Sequence, residues 1–455
     1  MFRILESFRA VDHLKKENTF AAISFGDNYV SAALAHVDVM GSVYPYRLQH
    51  AFFKRDKRHD PDARELDAAL RKCWEGLGNN PELEASQILV ALPPWASRSR
   101  MAEARLVVPS EEGAGMYARK VDKIVVRSLQ DVMCAKNTPA GYVVSDLIPQ
   151  YYTTDTGSTL GNPISATTST LAMRGHLVMT ELSVARIILD CLKSKSVWAT
   201  HLTTAFCATG FNIWPDEKQR GVALIEVDRL RTYCSFFENG VLVHTCQVDG
   251  GSIETLSDAA HRLDVPPGDL ALWLNDREEL MRYADPQIEI AWPSATRKPN
   301  GPRTLGDIEN AARPMAEKIM GRIQAALKGV DEAVNRGIRN VVLMGDDPLI
   351  MRALRSAFRE VGGAQCEWRV PPKVHGEQHR AVPGFARMIG LLRMPRLWKE
   401  RRQPFLESYN ESVVETVNGT FWRMFVNRDG FRAPKTGSLS VTTPGFADTI
   451  RRWLF

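Results

Sequence analysis

Two tight turns, each held between strand-like apolar runs and lying in opposite halves of the chain, constrain the fold of this 455-residue sequence more than any other feature. The first is Gly26-Asp27-Asn28 within TFAAISFGDNYVSAALAHV (19–37), which reads as two strands joined by a turn. The second is the Asp228 turn within RGVALIEVDRLRTYCSFFENGVLVHTCQVDGG (220–251). There VALIEV, TYCSFF and VLVHTCQV read as three strands, the last two joined at Glu238-Asn239-Gly240. Such an echo, with no short-period repeat anywhere, points to a duplicated α/β core.

The segments around each turn agree with that reading. DARELDAALRKCWEGL (62–77) places Leu66, Leu70, Trp74 and Leu77 on one helix face. SQILVALPP (86–94) is a short buried strand stopped by its prolines. A long helix is expected over about 307–334, then the strand NVVLMG, the helix PLIMRALRSAF, and GFARMIGLL closing the core near Leu392. Between about 98 and 178 the character changes: a charged helix mixes with Thr/Ser-rich strand-like pieces, as in a separate small α+β unit. The expected division is an N-terminal extension (1–18), a first lobe in two parts (19–97 and 179–217), an inserted subdomain (98–178), a second lobe (218–392), a flexible linker (393–444) and a terminal amphipathic helix (445–455).

Composition excludes several classes. Hydrophobic residues at 44% and charged residues at 24% are those of a globular protein. No apolar run approaches the ~18 residues of a spanning helix. The opening MFRILESFRAV is interrupted by Glu6 and Arg9 and does not read as a secretory signal. A net charge of +5 spread over this length does not indicate nucleic acid. Seven scattered cysteines with no C-x-x-C pair read as reduced thiols of a cytoplasmic protein.

Taken in order, these pieces resemble the actin-like ATPases, and among them the FtsA family of bacterial division proteins. YVVSDLIPQYYTTDTGSTLGNPISATTSTLAMRGHLVMTEL is similar to that family's inserted subdomain, with its IPQ-Y element, the Asn162-Pro163 pair and a return strand at HLVM. The 220–251 stretch resembles the second phosphate hairpin, VVLMGD the adenosine-side strand and turn, and VPGFARMIGLL the segment that closes the second lobe. The resemblance implies a two-lobed actin-like fold that binds ATP with Mg²⁺, assembles into filaments and tethers the tubulin-like polymer FtsZ to the membrane.

In that family two β-hairpins offer backbone N–H groups to the phosphates, glycines let the chain come close, and a carboxylate ending the first strand of each lobe holds water and Mg²⁺. This sequence departs from the pattern. Ser24 stands where Asp is expected, and Glu226 replaces the second Asp. Asp228, Arg229 and Leu230 replace three glycines, while Arg231 and Tyr233 replace a Thr and an Asp. Thr232 is kept; Gly345 is kept, but Asp346 and Asp347 follow it. If a nucleotide site is retained, its residues are Gly26, Asp27, Glu226, Arg229, Arg231, Thr232, Gly250, Gly251 and Gly345, with Arg229 and Arg231 taking over phosphate contacts. Otherwise the turns are ordinary hairpins and ATP binding is weak or lost.

Other candidates read as structure. HGEQH (375–379) follows two prolines and lacks the H-E-x-x-H order, so it is a loop and no metal site is expected. SRSR (97–100) reads as a hinge into the inserted unit, and RLWKERR (396–402) as either a solvated linker start or a headgroup contact. Met1, Ile4, Leu5, Phe8 and Val11 share one helix face, packed on protein or lying on a membrane. At the other end Phe446, Ile450, Trp453 and Leu454 fall within about 100° on a helical wheel, with Arg451 and Arg452 opposite. These six residues are the expected contacts with an anionic membrane surface.

The expected protein is a peripheral adaptor at the cytoplasmic face of the inner membrane. Its partners would be an FtsZ-like polymer, other divisome proteins and further copies of itself, with no residue nominated as catalytic. Two alternatives stay open: a nucleotide-dependent actin-superfamily enzyme, either a small-molecule kinase or an ATPase, and an actin-like pilus-assembly adaptor.

Overall fold

The computed structural model describes residues 18–55, 62–78, 85, 87–108, 118–195, 197, 199–275, 277–290, 303–327, 339–360, 363–375 and 382–400. The N-terminal extension before Asn18, the linker beyond Glu400, the terminal helix, the end of the predicted 307–334 helix and most of HGEQH lie outside them.

Both predicted turns join antiparallel strand pairs. In the first lobe these are β1 (Thr19–Phe25), β2 (Tyr29–Val37) and β3 (Val43–Phe52), followed by the helix α1 (Ala63–Gly76) and β4 (Gln87–Leu92). Asp62 caps α1 by accepting from the Arg64 N–H at 2.8 Å. The insert supplies β5 (Ser97–Val107), α2 (Lys123–Asn137), β6 (Tyr142–Thr154), β7 (Thr159–Leu160) and β8 (Thr170–Glu181). The chain returns through α3 (Leu182–Ser194), β9 (His201–Thr204) and α4 (Ala205–Gly210). The second lobe contains β10 (Val222–Val227), β11 (Arg231–Glu238), β12 (Val241–Asp249), α5 (Ser252–Arg262), α6 (Leu305–Ala326), β13 (Asn340–Gly345), α7 (Pro348–Glu360) and β14 (Gln365–Trp368). The last helix, α8, covers Phe385–Glu400.

The duplication is explicit in the strand orders. The first sheet runs β9-β4-β1-β2-β3 and the second β14-β13-β10-β11-β12, so each has its first strand at the centre. In each, the first strand is antiparallel to the second and parallel to the fourth. VALIEV is buried along its whole length because both faces are covered. Leu224 belongs to one apolar cluster and Ile225 to another.

That first cluster is shared between the lobes. It runs from Ile23, Val30 and Val90 through Trp95 and Val178 to Leu224, Phe237, Val342 and Met344. The last helix is the other link. GFARMIGLL was expected to close the second lobe; instead Phe385, Met388, Ile389, Leu391 and Leu392 pack with Phe20, Ala22, Ala33 and Leu89 on the first sheet. The helix also runs past the expected core boundary, with Arg393 and Met394 buried. Gly390 permits the contact: a Cβ there would overlap the Ala208 carbonyl.

The insert is an antiparallel sheet of order β5-β8-β6-β7. It leaves and re-enters the core side by side, with Ser97 paired to Thr180. SRSR, read from the sequence as a hinge, forms the start of β5. Polar contacts fix the sheet to both lobes. The buried Asp146 carboxylate accepts from the Thr203 hydroxyl at 2.6 Å and the Thr204 N–H at 2.9 Å. On the other side Gln150 donates to the Leu242 carbonyl at 2.9 Å, and Ser99 bonds the Thr245 hydroxyl at 2.7 Å.

His176, on β8, is fully buried and neither ring nitrogen has a hydrogen-bond partner among the described residues. Burial, with His244 nearby, pushes its pKa down to about 3. Between that value and the ordinary 6.5 the unfolded chain binds more protons than the folded one, so stability is lost as pH falls below about 6.5. Replacing His176→Leu is expected to flatten the acid limb of a melting-temperature profile between about pH 6.5 and 4. An unchanged limb would place the acid sensitivity elsewhere.

Candidate functional site

The two turns meet at the centre of the molecule. Asp27 is fully buried. Its Oδ2 accepts from the backbone N–H groups of Leu230 at 2.9 Å and Arg231 at 3.0 Å, both in the turn of the opposite lobe. The Tyr233 hydroxyl donates to Oδ1. The first turn is braced from behind. Arg55 donates to the Asp27 carbonyl at 3.2 Å, Trp95 donates to the Gly26 carbonyl at 3.0 Å, and the Arg55 guanidinium lies 3.5 Å from the Trp95 ring centroid.

The second turn is tied back in the same way. Asp228 Oδ2 accepts from the Tyr29 hydroxyl at 3.1 Å and from Arg387 at 3.2 Å. Arg387, in the first turn of α8, is fully buried and also lies 2.9 Å from Glu226 Oε1. Its second terminal nitrogen donates to the Phe25 carbonyl at 3.3 Å. The Thr209 hydroxyl donates to the other oxygen of Glu226 at 2.8 Å. One guanidinium therefore joins the ends of β1 and β10 and the second turn. Asp346, after β13, accepts from the Gly384 N–H at 2.7 Å, and Asp347 accepts from the Leu349 N–H at the start of α7 at 2.9 Å.

This density of charge sets the protonation equilibria. Burial, reinforced by Asp228, raises the Asp27 pKa to about 7, against the pull of the Tyr233 hydroxyl, the Leu230 amide and Arg55. Burial also raises Glu226 and carries Asp346 well above the carboxylate range. Arg387 is buried too, but Glu226, Tyr29 and Asp228 hold it protonated.

A triphosphate needs free backbone N–H groups and open space over glycines. Here the Leu230 and Arg231 amides are taken by Asp27. The Tyr29 ring covers Gly26, where a Cβ would overlap it. A Cβ at Gly251 would lie 2.5 Å from the Asp228 carbonyl oxygen. Glu226, which would orient the metal, is engaged by Arg387 and Thr209. This arrangement does not fit ATP with Mg²⁺.

Of the sequence-predicted residues, Gly26, Asp27 and Glu226 converge on this network. Arg229 instead lies over the Phe52 ring, 4.5 Å from its centroid, and Arg231 pairs with Asp249 at 3.5 Å. Thr232 donates to the Gly250 carbonyl at 2.8 Å, and Gly345 backs onto Met351. The sequence reading missed Arg387, Tyr29, Arg55 and Trp95. A signal for the first was present, because Arg387 is the lone charge in an otherwise apolar run and a buried charge demands partners. The predicted membrane contacts Phe446–Leu454 lie outside the described residues. No helix among the described residues is long and apolar enough to cross a membrane.

No protein-family model and no curated protein matches the sequence. Solved structures do. A PilM–PilN type IV pilus biogenesis complex matches with a TM-score of 0.53 at 11% identity, covering 82% of this chain and 97% of that one. MreB 5 of Spiroplasma citri bound to AMPPNP matches with a TM-score of 0.43 at 10% identity, covering 86% and 98%. At such identities the likeness is one of fold, and the fold is the two-lobed actin-like one.

Removing Arg387 leaves two buried carboxylates without their cation. Arg387→Met is expected to cost about 3–5 kcal/mol in urea unfolding, and adding Glu226→Gln with Asp228→Asn to recover most of it. A single variant as stable as the natural protein would show that the network holds nothing together.

Proposed function

We propose that this chain is an actin-fold adaptor that works without nucleotide, linking a cytoskeletal or division polymer of the FtsZ type to the cytoplasmic face of the cell membrane. The observation that supports it is the interlobe cleft, where Asp27 accepts from the Leu230 and Arg231 amides while Asp228 accepts from Tyr29 and Arg387, across the space a nucleotide would need. A closed cleft of this kind suits a scaffold better than a kinase or ATPase, which must admit and release substrate. In this reading the inserted sheet and the outer faces of the lobes are available for self-association and for divisome partners. A second reading, an adaptor of pilus assembly, is favoured by the likeness of fold to the PilM–PilN complex.

The anchor in this proposal is the stretch around Phe446, Ile450, Arg451, Arg452, Trp453 and Leu454. As an amphipathic helix lying flat it would bury Trp453 and Leu454, with each arginine worth about 1 kcal/mol at an anionic surface. One such short helix binds reversibly, so stable attachment would need several copies on a filament.

Two measurements test the reading. Isothermal titration with Mg-ATP is expected to give no binding heat, and a low micromolar dissociation constant would overturn nucleotide independence. In co-sedimentation with anionic liposomes, the full chain is expected to carry FtsZ-type polymer into the pellet equally with and without Mg-ATP. A chain ending at Pro444 and the Trp453→Glu variant should lose that ability. Pelleting of both variants as well as the full chain would move the anchor elsewhere, with residues 1–11 the next candidate.

A further inference from the structure

The contact between Asp27 and the second turn has the chemistry of an anion site. The turn presents two consecutive backbone N–H groups, from Leu230 and Arg231, to a single carboxylate oxygen. The Tyr233 hydroxyl donates to the other oxygen, and Arg55 lies 3.9 Å from it. Two kinds of donor, amide and hydroxyl, thus converge on one buried group with the Arg55 charge nearby, as they would on a phosphate. That group belongs to the opposite lobe, 203 positions earlier in the chain. Arg229 and Arg231 do not complete the cradle, since their side chains turn to Phe52 and Asp249.

We propose that the Asp27 carboxylate is a built-in stand-in for a ligand phosphate, which holds the two lobes closed by occupying the Leu230 and Arg231 amides, and that removing it turns the same donors into a binding site for a free phosphate ion. The surroundings support the assignment. On the far side of the turn the Asp228 carboxylate is tied to Arg387 and Tyr29, so the donors that face Asp27 remain the open side of the nest once its side chain is gone. Asp27→Ala also removes one of two neighbouring carboxylates, Asp228 being the second, which lowers the repulsion against an incoming anion. The inference concerns the lock inside the cleft, and it stands whether the adaptor serves a division or a pilus-type machine.

The test is chemical rescue. Asp27→Ala is expected to melt several degrees below the natural protein in chloride buffer, and inorganic phosphate at matched ionic strength should recover most of the loss. The natural protein should gain no more than the general salting-out effect of phosphate. Asp27→Asn keeps an acceptor oxygen for the amides and is expected to melt between the two and to respond weakly to phosphate. Equal phosphate responses in Asp27→Ala and the natural protein would overturn the proposal. If Asp27→Ala fails to fold, hydrogen exchange on the natural protein decides. The Leu230 and Arg231 amides should exchange as slowly as core strands of β10; exchange as fast as an exposed turn would show that Asp27 does not hold them.

Discussion

A buried carboxylate on one lobe, seated on two backbone amides of the other, is the contact on which the rest of the cleft depends. Asp27 cannot be left in the interior without donors, and the Leu230 and Arg231 amides cannot be left there without an acceptor. Each therefore needs the other, and the lobes must meet for both to be satisfied. The same logic extends outward. Asp228 lies close enough to raise the Asp27 pKa and is itself held by Arg387 and the Tyr29 hydroxyl. Arg387 in turn requires Glu226 and the Phe25 carbonyl.

Apolar packing reinforces that closure. The two sheets share one cluster, and α8 carries the chain from the second lobe back onto the first. A hinge between lobes opens easily when the interface is polar and small; here opening would expose Leu224, Phe237 and Met344 together with several buried charges. The insert adds contacts to both lobes through Asp146, Ser99 and Gln150. These features account for an actin-like fold in which the space between lobes has become core.

Much of the fold was legible because its signals are local. TFAAISF and VALIEV are mostly apolar and buried along their length, as strands covered on both faces are, and the turns between the strand pairs carry Gly, Asp or Asn. The insert was legible from its change to Thr/Ser-rich strand patterns. The departures have equally plain causes. GFARMIGLL is apolar apart from Arg387, and nothing in it says which sheet it covers, so its place on the first lobe went unread. SRSR looks polar and hinge-like, yet it is a strand whose exposed positions carry the arginines.

The sequence by itself determined the duplicated α/β plan, the inserted unit and the charged residues of the second turn, since each is written in periodicity or in residue type within a short window. Tertiary structure alone decided what the buried charges of the cleft meet. Whether Asp27, Asp228 and Glu226 repel a phosphate, bind a metal or are satisfied by the protein itself depends on which donors lie within about 3 Å, and those donors come from Leu230, Arg231, Tyr29 and Arg387, which only folding brings to them. Hydrogen bonds act over distances shorter than one residue's length, so a charge in sequence has no meaning until folding has chosen its neighbours.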